Sequence, residues 1–131
     1  MLMQRTEQLK DLRPTIPTIA IENETTKQEK FQNQVLRPIL KFQNDLLIAI
    51  FKQYVIKRKG VFNGLSSEKK LTYIQQVIQR DQNFRNLLVG SVVGQFTIEE
   101  YQTFSSEENK LTKRMMEMCV QRLQDQMVVR K

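Results

Sequence analysis

The segment from Thr25 to Gly60 has the strongest helical pattern of apolar and polar positions in the chain. On a helical wheel at about 100° per residue, apolar side chains from positions 38–58 cover most of the circumference. Lys41, Asp45 and Lys52 fall together in one narrow strip. A helix that is apolar on nearly every side is typical of a buried position. The pattern therefore predicts a central helix whose charged strip is its single solvent-facing edge.

Pro38 lies inside this predicted helix. A proline has no N–H to bond the carbonyl of Gln34, and it disfavours helical geometry at Arg37. A straight helix over positions 25–58 would be about 50 Å long, whereas a compact domain of this size is roughly 36 Å across. Either the helix kinks at Pro38 or its first part projects into a partner. We expect the kink.

Residues 1–24 are predicted to form an N-terminal arm that is partly extended or disordered. A short helix through Leu9 and Leu12 is expected first, and Pro14 and Pro17 then impose an extended path. The long helix that follows can be capped by Asn23 or Thr25. Its other end is expected at Gly60, which can adopt the left-handed conformation.

Polar residues and glycines divide the second half of the chain. Ser66 or Ser67 can cap a second helix, and Asp81 predicts a break and a new cap. Gly90 and Gly94 lie four apart on one face of the next helix. Because glycine weakens a helix, this spacing predicts close approach of a neighbouring helix.

Two capping boxes are predicted near the end of the chain. The segment Thr97 to Glu100 has the required spacing, and Phe96 can pack on Tyr101 as a hydrophobic staple. The same spacing recurs at Ser105 and Glu108, which predicts the start of a last helix. The inner face of that helix is expected to carry Leu111, Met115, Cys119, Leu123 and Met127.

These elements predict an all-α fold. The low content of glycine and proline agrees with a helical chain. We expect a single-domain bundle of four to five helices around the kinked helix, occupying residues 25–131 after the arm. Its core is predicted to contain Leu46, Leu47, Ile50, Phe51, Tyr54, Leu88, Val92, Met115 and Leu123.

The net charge of +7 is concentrated in the middle of the chain. Residues 31–96 contain ten basic and three acidic side chains, and the two flanking regions are balanced. A local positive field favours an acidic protein or the backbone of a nucleic acid as partner. The plainer and more common explanation is that charge keeps the chain soluble.

Basic residues cluster around the predicted end of the long helix, and we call this cluster the basic corner. Three of them suit the negative end of the helix dipole, but Lys69 and Lys70 stand in a first turn, where positive charge is mildly unfavourable. Binding of a partner is a hypothesis that explains them. The basic corner consists of Lys57, Arg58, Lys59, Phe62, Lys69 and Lys70, with Arg80 and Arg85 extending the surface.

The sequence contains no histidine and one cysteine. Nucleophile pairs that use histidine are therefore excluded, together with most zinc and iron sites. Ser66 and Ser67 each precede a lysine by three residues, but a helix cap explains them better than the Ser-x-x-Lys motif. Cys119 is expected to be a core residue. No catalytic, metal-binding or cofactor-binding residue is predicted.

A cytoplasmic location is the simplest expectation. Residues 1–13 contain no apolar run typical of a signal peptide. The longest apolar run, Leu46 to Phe51, is too short to cross a bilayer, so no membrane insertion is expected. With Cys119 alone, no internal disulfide can form.

The segments KFQNQVLRPILKFQNDLL, FRNLLVGSVVGQFTIEEY and LTKRMMEM resemble a group of small bacterial all-helical proteins over most of the chain. Some members carry the name glyoxalase. That name implies a fold of βαβββ units and a metal bound by histidine and glutamate, whereas this chain has no histidine and little strand pattern.

Three functional hypotheses remain at this stage. The preferred one is a small cytoplasmic helical binding protein that contacts an acidic or polyanionic partner through the basic corner. The second is a glyoxalase-like metal-dependent lyase, as the resemblance implies. The third is a structural homo-oligomer in which positions 25–34 of the long helix pair with their copy.

Overall fold

The computed structural model describes residues 2–15 and 26–128. Every regular element within these ranges is helical, which confirms the predicted all-α class. The four to five helices predicted are not confirmed, because the described residues divide into more segments. These are α1 (Leu2–Leu12), α2 (Lys27–Phe31), a π-helical segment (Gln32–Leu36), α3 (Arg37–Phe42), α4 (Asn44–Lys57), a 3-10 turn (Val61–Gly64), α5 (Ser67–Arg80), α6 (Gln82–Val93), α7 (Ile98–Ser106) and α8 (Glu108–Met127).

The predicted kink at Pro38 is not confirmed. A π-helical segment ends at Leu36, two residues before the proline, and the Arg37 N–H bonds the carbonyl of Gln32, five residues back. This wider turn shifts the hydrogen-bond register. Pro38 therefore falls at the start of α3, where a missing N–H is tolerated. The α-helix is interrupted later, at Gln43, which separates α3 from α4 and whose φ and ψ are −85° and 3°.

The first part of the predicted long helix does not project from the molecule. Phe31 at the end of α2 is buried, and its ring lies edge-on to Phe96 with centroids 5.5 Å apart. Phe96 in turn packs on Phe104 at 5.4 Å. The start of the long helical stretch is thus held against the core of its own chain.

Helix α4 is buried on one side rather than all round. Leu47, Phe51 and Val55 are buried, and the predicted charged strip is exposed. However, Leu46 is 48% exposed and Ile56 is 67% exposed. The prediction of Leu46 as a core residue is therefore wrong, because a wheel that is apolar all round cannot show which side the other helices cover.

The other predicted core residues lie close to where they were expected. Ile50 and Tyr54 are half-buried against the core. The inner face of α8 is confirmed, with Met127 half-buried at its end. Fully or nearly fully buried are Leu47, Phe51, Leu88, Val92, Leu111, Met115, Cys119 and Leu123. Burial raises the pKa of the Cys119 thiol to about 12, so this cysteine is a packing residue with little thiolate at neutral pH.

Most of the predicted helix ends are confirmed. Ser66 accepts a hydrogen bond from the Lys69 N–H at the start of α5. Thr97 and Glu100 form the complete capping box. Gly60 has a φ of +69°, the left-handed conformation predicted for it. These signals are local, so the sequence alone identifies them.

Three predictions about the ends of helices need correction. Helix α2 is capped by Thr26, whereas Asn23 and Thr25 lie outside the described residues. Ser105 lies inside α7, which continues to Ser106, so Glu107 precedes α8 without a side-chain cap. The staple partner also differs, because the ring neighbours of Phe96 are Phe31 and Phe104 rather than Tyr101.

The close helix approach predicted at Gly90 and Gly94 is wrong. A Cβ added at Gly90 would have no atom of a neighbouring element within 4 Å. A Cβ at Gly94 would lie 3.2 Å from the Gly90 carbonyl oxygen of the same helix. The φ of Gly94 is −59°, so this residue ends α6 in right-handed geometry.

Helix α1 confirms the predicted short N-terminal helix, and arginine side chains bind it to the rest of the chain. Arg13 forms an ion pair with Glu100, with Nη2 2.5 Å from Oε1, and both side chains are nearly buried. Arg5 donates a hydrogen bond of 2.8 Å to the carbonyl of Phe96. The predicted extended path beyond position 15 and the domain boundary at 24 lie outside the described residues.

Candidate functional site

Asp81 joins three helices at the turn between α5 and α6. Its backbone is extended, with φ −88° and ψ 98°, so its Oδ1 accepts the Phe84 N–H at 3.1 Å and caps α6. Its Oδ2 accepts hydrogen bonds from the Tyr54 hydroxyl at 2.9 Å and from Arg58 Nη2 at 2.7 Å. One carboxylate thereby fixes the end of α4 to the start of α6.

The side chains around Asp81 form a stack. The Arg58 guanidinium lies over the Tyr54 ring, 4.1 Å from its centroid. The Tyr54 ring packs in turn on Phe84 at 4.4 Å. A guanidinium over an aromatic face is attracted by the ring quadrupole. The stack holds Arg58 in one position at the edge of the molecule.

The local pKa shifts keep this cluster in one protonation state near neutral pH. The hydrogen bond from the Phe84 N–H, followed by that from Tyr54, lowers the pKa of Asp81 from its ordinary value. Burial, followed by the hydrogen bond to Asp81, raises the pKa of Tyr54. The carboxylate is therefore ionised and the phenol protonated at pH 7, so both are suited to binding and positioning.

Two surface cavities meet at Tyr54 and Asp81. One, of about 560 Å³, is also lined by Tyr73 and Arg80 of α5. The second, of about 330 Å³, lies between α4 and α6, and we call it the α4–α6 groove. Its lining residues are Ile50, Gln53, Tyr54, Lys57, Arg58, Asp81, Asn83, Phe84 and Leu87.

The basic corner contains one residue that does not belong to the surface. Phe62 is 2% exposed, and its ring packs on Phe51 with centroids 5.1 Å apart. The Lys70 ammonium lies over the same ring at 5.3 Å. Phe62 therefore supports Lys70 from below, whereas Lys57, Lys59 and Lys69 are exposed.

The structure places Arg80 and Arg85 apart from Lys69 and Lys70 of the basic corner. Arg80 lies at the end of α5 and lines the larger cavity beside Asp81. Lys69 and Lys70 lie in the first turn of α5, about 15 Å along the helix axis from Arg80. Arg85 lines a different cavity with Tyr101 and donates to the Ile78 carbonyl at 3.5 Å.

Sequence reasoning missed the α4–α6 groove. The apolar pattern assigns Leu46 and Tyr54 to the core, although Leu46 is exposed and Tyr54 is half-buried and lines the groove. A signal was present, because Leu46, Ile50, Tyr54 and Arg58 follow each other at intervals of four along α4. This spacing forms a continuous helix face, but it cannot show whether another helix covers that face.

Among residues 2–15 and 26–128, no group of three or more cysteine, aspartate and glutamate side chains is arranged to hold a metal ion. No helix in these ranges is long and apolar enough to cross a membrane. Comparisons with protein-family models, with curated proteins and with solved structures find no match to this chain.

Proposed function

We propose that this protein is a helical binding protein whose basic corner contacts an acidic segment of a partner protein. The proposal rests on three exposed lysines, Lys57, Lys59 and Lys69. No carboxylate of the described residues lies within ion-pair distance of any of them. Within the described residues their charge is not compensated by an ion pair, and we propose that an external anion binds it.

The internal acids near the corner compensate little of this charge. Asp81 is already bonded to Arg58, Tyr54 and the Phe84 N–H. Glu68 is the other acid of this region, and it stands in the first turn of α5, where the helix dipole favours it. The electrostatic field at the corner is therefore positive. Such a field attracts acidic partners and accelerates their association.

Binding is preferred here over the two other hypotheses for specific reasons. A glyoxalase-like metal site uses histidine, and the sequence has none. Pairing of positions 25–34 with their copy would use a segment whose Phe31 is already buried in the chain's own core. We place the proposed binding in the cytoplasm, as the sequence predicts.

The test is a set of titrations at two salt concentrations. Fluorescein-labelled poly-glutamate, single-stranded DNA and single-stranded RNA are titrated into the protein at low and at physiological ionic strength, with anisotropy as the readout. We expect poly-glutamate to bind at low salt and to weaken steeply as salt rises, because exposed charges are screened over roughly 8–10 Å. Absence of binding at low salt would overturn the proposal. Stronger binding of DNA or RNA would replace the acidic protein with a nucleic acid as the partner.

A further inference from the structure

A stripe of partly uncovered apolar side chains runs along α4 towards the basic corner. Leu46, Ile50 and Tyr54 follow at intervals of four, which places them on one slowly winding face. Leu46 is 48% exposed, and Ile50 and Tyr54 are half-buried. Large apolar side chains that are exposed side by side mark surfaces that bind other molecules.

Helix α6 supplies the opposite wall of the same surface. Leu87 lines the α4–α6 groove and is 54% exposed. The Phe84 ring, which is buried, and the Tyr54 ring form the floor between the two helices. A groove with apolar walls and an aromatic floor is the kind of site in which an amphipathic helix lays its apolar face.

The length of the stripe agrees with such an occupant. Twelve residues separate Leu46 from Arg58, which corresponds to about 18 Å along α4. A partner helix of about three turns covers this distance and presents apolar residues at i, i+4 and i+7 or i+8.

Charge distinguishes the two ends of the groove. Lys57 and Arg58 line its end at the basic corner, and Lys59 follows immediately. The single carboxylate in the lining, Asp81, is bonded to Arg58, Tyr54 and the Phe84 N–H. This end therefore complements acidic side chains on a partner, whereas the end at Ile50 and Leu87 complements apolar ones.

We infer that the α4–α6 groove binds an amphipathic helix of a partner protein. The apolar face of that helix contacts Ile50 and Leu87, which line the groove, and Leu46, which lies one turn beyond the lining on the same face of α4, and its acidic residues lie at Lys57. The inference rests on the proposed function, which supplies the acidic partner. Beyond that function, the partner's segment is a helix, its binding site is the α4–α6 groove, and its acidic end lies at Lys57.

The experiment uses a synthetic helical peptide of sixteen residues with leucines on one face and glutamates at one end. Its affinity for the full chain is measured by calorimetry at physiological salt. We expect Leu46→Ser and Leu87→Ser each to weaken binding about tenfold or more, as truncation of a central apolar anchor does. Ile98→Ser is the matched control, because Ile98 is 43% exposed on α7, away from the groove, and this variant should bind like the parent.

A second peptide separates this inference from the proposed function. Its glutamates are unchanged, but its leucines are distributed around the helix so that no apolar face remains. Equal affinity for both peptides, or no effect of Leu46→Ser and Leu87→Ser, would overturn the proposed binding of a helix in the groove. The proposed binding of acidic partners at the basic corner would still stand. Failure of both peptides and of poly-glutamate would overturn both proposals. Sedimentation that shows a dimer abolished by Leu46→Ser would assign the groove to a second copy of this chain and also overturn the inference.

Discussion

Arg58, which directly follows α4, and Asp81 at the start of α6 form an ion pair of 2.7 Å that closes the end of the α4–α6 groove. The pair uses the carboxylate that also caps α6 and accepts the Tyr54 hydroxyl. Arg58 therefore already has a carboxylate partner within the fold, whereas no carboxylate of the described residues forms an ion pair with the neighbouring Lys57 or Lys59.

Replacement of Asp81 by asparagine should strengthen the binding of acidic peptides. The asparagine would still cap α6, because asparagine and aspartate are equally good caps, but it would release Arg58 from its ion pair and remove one negative charge. We expect the free energy of unfolding to fall, because the amide NH2 that replaces Oδ2 cannot accept the hydrogen bonds from the Tyr54 hydroxyl and Arg58 Nη2. Anisotropy titration with poly-glutamate checks the affinity, and unchanged or weaker binding by Asp81→Asn would be evidence against the electrostatic account of the corner.

Lys59 is a non-glycine residue with a positive φ, +62°. It occupies the left-handed position at the end of α4, where the Gly60 N–H bonds the Val55 carbonyl at 2.9 Å. Lys59→Gly should therefore stabilise the protein by about 0.5–1 kcal/mol in urea unfolding. Lys57→Gly removes the same charge from a helical position and should destabilise by about 1 kcal/mol. Destabilisation by both variants would contradict the left-handed geometry at Lys59.

Neighbouring leucines of α4 should respond very differently to truncation. Leu47 is 1% exposed, so Leu47→Ala should cost about 2–5 kcal/mol, through lost burial and the cavity left behind. Leu46→Ala should shift the free energy of unfolding by no more than about 0.5–1 kcal/mol, because the side chain is already half in water. Equal costs in urea unfolding would mean that α4 is buried all round, as the apolar pattern alone predicts.

The ion pair between Arg13 and Glu100 should make stability depend on acid pH. Burial alone would raise the pKa of Glu100, but the hydrogen bonds from Arg13 and the Thr97 N–H bring it below its ordinary value of 4.5. A lowered pKa in the folded state means that the contribution is complete above about pH 4.5 and is lost as pH falls through the folded-state value. Glu100→Gln keeps the capping box and should cost about 1.5–3 kcal/mol at pH 7. Thermal unfolding should show this difference shrinking below pH 4.5, and a difference independent of pH would exclude the charge as its source.

Local signals predicted the fold class and several helix ends correctly. Asp81 and the Thr97–Glu100 box were identified because a cap needs only a polar side chain within three residues of a free N–H. The second box, at Ser105, failed for a non-local reason. Helix α7 continues past it to Ser106, burying Phe104 against Phe96, which the spacing of polar residues cannot show.

The candidate site was predictable only in part. The sequence located the lysines of the basic corner, since charge excess is a property of the chain itself. It could not show that Phe62 is buried beneath Lys70 or that Leu46 is exposed, because both depend on which helix covers which face. Asp81 bonds Tyr54 and Arg58, which precede it by 27 and 23 residues in the sequence. These are tertiary contacts, so the sequence alone likewise could not show them.

The central claim is that the position of the positive charge, and not only its amount, determines partner binding. The most direct measurement compares the affinity for poly-glutamate of Lys69→Glu/Lys70→Glu with that of Lys110→Glu/Lys113→Glu. Both double variants change the net charge equally, but Lys110 and Lys113 are exposed on α8, outside the basic corner. At low salt, the account predicts that reversal at Lys69 and Lys70 weakens binding much more than reversal on α8, with similar melting temperatures. Equal loss of affinity in the two variants would contradict it.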